Sequence, residues 1–173
     1  GVRTGESILE AKRKCPNLKL VPANYHLYKQ SSKAFIRILK EYSPEVEQYS
    51  IDEAFMNMTG MEKLFGPPKE AAENIRERIF KELGFTVNIG ISSNKLLAKM
   101  ASDFKKPNLV HTLFPEEIQE KMWPLPVGEL FFVGRATESS LKRLGIRTIG
   151  DLAKTDLELL KSHFCLLYTS PSP

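Results

Sequence analysis

The chain has 173 residues, 42% apolar and 27% charged, a composition that excludes wholesale disorder and allows one sizeable domain or two small ones. Its 25 Lys and Arg against 21 Asp and Glu give a formal charge of +4, which permits a polyanionic partner without demanding one. Cys15 and Cys165 stand far apart with no CxxC or Cys/His spacing, so neither a disulfide framework nor a zinc site is read.

No apolar run reaches membrane-spanning length and no secretory leader is read, so a soluble, cytoplasmic protein without membrane contact is expected. The positive charge is uneven. Residues 1–49 hold nine Lys and Arg against five acids, and Lys95, Lys99, Lys105 and Lys106 face a single acid, Asp103, between them. Taken alone, such a face is merely solvated. His26, His111 and His163 are scattered and read as structural or surface groups.

In chain order, residues 5–15 read as a short helix ended by Pro16-Asn17. Leu18–Val21 reads as a short apolar strand. Residues 25–41 form an amphipathic helix with Leu27, Phe35, Ile38 and Leu39 on or near one face, broken at Ser43-Pro44. From 45 to 59 the period changes to two, on both sides of the polar tip Ser50-Ile51-Asp52-Glu53, which predicts a hairpin. A helix follows over 68–83, stopped by Gly84. Thr86–Ile91 is rich in β-branched residues and predicts a strand. Ser92 and Ser93 offer N-caps to a helix over 94–104. A short strand is expected near 109–114.

Strand, helix, hairpin, helix, strand, helix is the layout of an α+β sandwich, with helices on one face of a mostly antiparallel sheet of ferredoxin-like type. Residues 115–164 then read as short helices: Pro115–Met122, Ala136–Leu144 after Val133-Gly134-Arg135, and another from Thr148. Gly-containing turns join them, and such turns can aim backbone amides at an anion. Trp123 is expected to pack between the two units. The last nine residues, 165–173, have no helical period and resemble translated adaptor sequence; they are expected to be a non-native tail.

Adjacent Asp52 and Glu53 point apart on a regular strand but can converge at a turn. Carboxylates that close repel unless a divalent cation neutralises them, and hard oxygens suit Mg²⁺. An Asp-Glu pair in a turn is, by itself, ordinary.

The wider pattern is not. Tyr49-Ser-Ile-Asp-Glu-Ala-Phe55 resembles the central motif of the Y-family DNA polymerases, which carry out translesion synthesis. Asn88-Ile-Gly-Ile-Ser-Ser-Asn-Lys-Leu-Leu-Ala-Lys-Met-Ala-Ser-Asp-Phe-Lys-Lys-Pro107 resembles the family's second palm motif. Phe132-Val-Gly-Arg135 with Leu144-Gly-Ile146 resembles its thumb. The likeness covers roughly residues 1–164 and is nearest the bacterial polymerase IV branch; several long motifs in order are far more specific than one short pattern.

The resemblance implies a remnant of fingers over 1–20, a catalytic palm over 21–109 and a helix-hairpin-helix thumb over 110–164. It implies nucleotidyl transfer from a dNTP to a primer 3′-hydroxyl with two Mg²⁺ ions, in low-fidelity synthesis across damaged DNA. Asp52 would bind both ions and Glu53 mainly the one at the primer hydroxyl. Lys95, in a first helical turn, would meet the triphosphate. Backbone amides at Val133, Gly134 and Arg135 would hold DNA phosphates without reading bases. Primer-template DNA and a dNTP are the implied partners, with a sliding clamp reached through a region outside this chain. The family's first strand, with a further metal-binding Asp, and its little finger are not in the sequence. The chain alone is therefore expected to be almost inactive. Two other readings stay open: a non-catalytic DNA-binding relative, and another palm-type enzyme such as a nucleotidyl cyclase.

Overall fold

The computed structural model describes residues 1–164; the expected tail, 165–173, lies outside the described residues. Helix α1 spans Ile8–Lys14, three residues later than the periodicity predicts. Ser7 sets its start with a capping box: the hydroxyl accepts from the Glu10 amide while Glu10 reaches back. The strand expected at Leu18–Val21 does not form. Leu20 and Val21 are exposed, and among the described residues no strand pairs with this segment.

Helix α2 spans Tyr25–Tyr42, capped by Asn24. Its inward stripe is Phe35, Ile38 and Leu39; Leu27, expected on that face, is half exposed. Strands β1 (Val46–Gln48) and β2 (Ala54–Met56) pair antiparallel, Val46 opposite Met56, as the alternation predicts. A single helical turn, α3 (Glu62–Phe65), leads to α4 (Pro68–Leu83). Proline at the first position of α4 and Gly84 in the left-handed region at φ +75° mark its two ends, both legible in the sequence.

Strand β3 is shorter than predicted, Ile89–Ile91, and α5 spans Lys95–Asp103. The N-cap of α5 is Asn94, whose Oδ1 accepts from the Leu97 amide at 2.9 Å, and not Ser92 or Ser93. The Ser92 hydroxyl instead donates to the Leu113 carbonyl, tying the end of β3 to its neighbour β4 (Val110–Thr112). β3 and β4 run parallel with α5 as the crossover between them.

The mostly antiparallel sheet is therefore realised differently: the described strands make two separate two-stranded ladders, one antiparallel and one parallel. Both cover the same helical layer. Phe35, Ile38 and Leu39 of α2 and Ile75 and Ile79 of α4 pack under Val46, Ala54 and Met56 of the first ladder and Ile89 of the second. The α+β architecture stands; what is missing is a hydrogen-bonded connection across its middle.

A 3₁₀ turn at Pro115–Glu117 and α6 (Ile118–Lys121) begin the helical part. After a second 3₁₀ turn at Val127–Glu129 come α7 (Arg135–Arg143), α8 (Ile149–Lys154) and α9 (Leu157–His163). Val127, Leu141 and Ile146 form their own core. A second cluster joins this unit to the first: Leu97, Met100 and Ala101 of α5 with Leu113, Met122 and Ile149, and Trp123 packed against them. No helix among the described residues is long and apolar enough to cross a membrane.

Candidate active site

The turn between β1 and β2 is closed from within. The amides of Tyr49 and Ser50 both donate to the Glu53 carbonyl, at 2.9 and 3.1 Å, which shapes residues 49–53 into a tight tip. Asp52 is exposed and Glu53 half-buried. The Ser50 hydroxyl donates to Asp52 Oδ1 at 2.7 Å. Asp52 forms no ion pair with the described residues.

Both carboxylates open onto one groove of about 1110 Å³ between the two ladders. Its apolar floor comes from Phe35, Leu39, Ile75 and Ile79. Lys95, Lys99 and Lys106 line its other wall. The tip and the α5 helix, far apart in sequence, are thus brought together around an open space with anionic and cationic sides.

Lys95, the first residue of α5, is exposed, pairs with Glu47 of β1, and lies 5.8 Å from the Phe55 ring centroid. Lys99, one turn on, is the better buried cation. Its Nζ donates to Glu53 Oε1 at 2.7 Å and contacts Asp103 Oδ2 at 3.0 Å. Burial pulls the Lys99 ammonium down, but the hydrogen bonds to Glu53 and Asp103 outweigh it and leave its pKa above the ordinary lysine value. For Asp103, burial pushes the carboxyl up, while the bonds from Lys106 (2.7 Å) and Lys99 bring it below the ordinary aspartate value.

Lys106 sits on a loop pinned by one side chain. Asn88 Nδ2 donates to the Ser102 carbonyl at 3.0 Å and the Lys105 carbonyl at 2.7 Å, and Oδ1 accepts from the Leu109 amide at 3.1 Å. Lys99 and Lys106 had no separate role in the sequence reading. Their i, i+4 and i, i+3 spacing about Asp103 was the available signal.

Among the described residues no group of three or more His, Cys, Asp and Glu side chains is gathered. The donor set is two adjacent hard carboxylates on an open groove, which fits a divalent ion that takes further ligands from elsewhere.

Val133, Gly134 and Arg135 lie at the start of α7, away from the carboxylates in sequence and on a separate unit. The Val133 amide donates to the Leu130 carbonyl at 2.9 Å and closes the turn. Gly134 is the N-cap, with no side-chain cap, and Arg135 is exposed. The amides of Gly134 and Arg135 have no partner among the described residues. Phe132, just before them, is exposed and held at φ +73°.

Residues 1–103 match the impB/mucB/samB family, and residues 115–146 match the IMS family HHH motif. DNA polymerase IV of Clostridium acetobutylicum is 50% identical over 95% of this chain and 41% of its own length. DNA polymerase IV of Acetivibrio thermocellus is 43% identical over 92% of this chain and 40% of its own. Among solved structures, DinB from Sulfolobus solfataricus superposes with a TM-score of 0.83 at 28% identity, covering 95% of this chain and 48% of that one. An insertion ternary complex of Dbh DNA polymerase gives 0.82 at 29% identity, covering 94% and 48%. The chain thus spans about two fifths of the length of the curated relatives it matches. With a family match over residues 1–103, the motif match behind it and the two-layer fold in common, the chain belongs to the impB/mucB/samB family.

Proposed function

We propose that residues 21–109 are the palm and 110–164 the thumb of a template-directed DNA polymerase acting in low-fidelity translesion synthesis, with residues 1–20 the end of the fingers. The observation that carries this reading is the opening of Asp52 and Glu53 onto one groove with Lys95, Lys99 and Lys106, in a chain of this family.

In this reading Asp52 and Glu53 are the residues that would hold two Mg²⁺ ions. When bound, the ions supply an acidified primer hydroxyl and charge neutralisation at the leaving pyrophosphate. The protein's own part is positioning. The closed tip presents Asp52 with one oxygen oriented by Ser50, and the α5 wall offers ammonium groups to a triphosphate. Lys95 can exchange its exposed partner Glu47 for a phosphate, since a surface pair is weak.

The groove between the ladders takes a strand from the part of the longer relatives that this chain does not span, and that strand brings the third carboxylate. A hydrophobic floor and an unpaired edge on each ladder support this. The amides of Gly134 and Arg135, with the Arg135 guanidinium, hold duplex phosphates, while Val133 closes the turn that presents them. Primer-template DNA and a dNTP are the partners, a sliding clamp is engaged through the unspanned part, and the protein works in the cytoplasm.

The test is mutational, in this sequence extended to the length of its relatives. Asp52→Asn and Glu53→Gln are each expected to reduce nucleotide addition by at least about a hundredfold, while duplex affinity stays within about twofold. Primer extension at the parent rate by either variant removes that residue from the site.

A further inference from the structure

Lys99 lies where three elements meet. Its ammonium reaches Glu53 on the hairpin tip, Asp103 at the end of its own helix, and the face of Phe131 in the following unit, 5.8 Å from the ring centroid. Its side chain is 14% exposed, against 61% for Lys95 on the same helix. A cation that withdrawn from water persists only where its partners are well placed.

The two oxygens of Glu53 are therefore unequal. Oε1 accepts from Lys99 at 2.7 Å, whereas Oε2 has no hydrogen-bond partner among the described residues. Asp103 keeps the ammonium in place from the other side and is itself tied to Lys106 at 2.7 Å. A carboxylate held in this way offers a cation one oxygen, not two. Mg²⁺ requires near-octahedral geometry with single-oxygen carboxylate ligands, while Ca²⁺ takes six to eight oxygens and readily uses both oxygens of a carboxylate.

We propose that Lys99 is a positioning residue for the carboxylate pair: by occupying Oε1 of Glu53 it restricts that side chain to a single metal-facing oxygen and biases the site toward a small octahedral ion over Ca²⁺. This rests on the reading of Asp52 and Glu53 as metal ligands. It adds a device within the α5 helix that selects among ions, and gives the half-buried lysine a purpose that a solvated one could not serve.

Binding of Mn²⁺ to the 173-residue chain, read by water-proton relaxation and displaced with Mg²⁺ or Ca²⁺, tests it without any turnover. In Lys99→Met the ratio of Ca²⁺ to Mg²⁺ affinity should rise at least about threefold, with the far-ultraviolet circular dichroism unchanged. If Asp52→Asn and Glu53→Gln leave Mn²⁺ binding as in the parent, the ligand reading fails and the proposal with it. If those two weaken binding but Lys99→Met leaves the ratio unchanged, the ligand reading stands and the positioning role is overturned. Should Lys99→Met not fold, Lys99→Ala removes the same ammonium from Oε1 of Glu53 and must move the ratio in the same direction; an unchanged ratio there also overturns the proposal.

Discussion

Asp52 and Glu53 are neighbours in the chain but not in environment. One is exposed, with a single oxygen oriented by Ser50; the other is half-buried and held by an ammonium. That asymmetry lowers the repulsion between them without closing the site. The pair itself was legible, because a polar tip between two alternating segments can only be a turn. Its partner Lys99 was not, because the 46 residues that separate it from Glu53 leave no local trace of the contact. A different carboxylate shows how far local sequence does suffice. Asp151 stands three residues after Thr148, and the Thr148 and Arg147 amides donate to its Oδ2 at 2.9 and 3.1 Å. Those bonds, the Thr148 amide first, hold its carboxyl below the ordinary aspartate value. A depressed folded pKa means stability that is present above the unfolded value, about 3.9, and lost as pH falls through the folded one. The melting temperature of the parent should therefore fall more steeply below about pH 4 than that of Asp151→Asn, measured by circular dichroism in matched buffers. Parallel acid limbs would show that the cap carries no linkage.

Among the elements, the β3–α5 pair sets the geometry of the groove wall. β3 can lie directly on α5 because position 90 has no side chain: a Cβ there would come within 1.9 Å of the Ala98 carbonyl oxygen and 2.5 Å of the Ser102 nitrogen. Both are backbone atoms, so no rotamer change relieves the clash. Gly90→Ala is expected to cost about 1–3 kcal/mol, or more if the helix must move, as read from urea unfolding. A cost below about 0.5 kcal/mol would mean that the strand is not seated as described. The sequence marks this glycine as a break in a β-branched run, but not what approaches it. Likewise it marks Ser92 and Ser93 as caps, although Asn94 takes that place and Ser92 ties β3 to β4. Serine and asparagine both cap well, so spacing alone cannot choose among the three positions. Leu18–Val21 erred for a related reason: an apolar run is a strand only when an edge accepts it.

At the scale of the molecule, the apolar cluster around Trp123 decides whether the α+β unit and the helical unit behave as one body. Leu97, Met100 and Ala101 share it with Met122 and Ile149, and Lys154 of α8 lies 5.4 Å from the Trp123 ring centroid. Separating the units would expose this cluster to water, at roughly 25 cal/mol per Å² of apolar surface. The 173-residue chain is thus expected to unfold in a single transition. Since Trp123 is the one tryptophan in the sequence, its fluorescence and the far-ultraviolet circular dichroism should give coincident urea curves. Separated midpoints would show that the helical unit comes apart first. The sequence by itself determined the helices α2, α4 and α5, the hairpin, the ends of α4 and the place of the carboxylate pair at the hairpin tip, because each depends on local period or on a capping residue within a turn or two. Only the tertiary structure decided that the sheet divides into two ladders, that an open groove lies between them, and that Lys99 rather than Lys95 touches Glu53. Those outcomes depend on which distant edges and charges come to face each other, and that is set by packing across the whole chain.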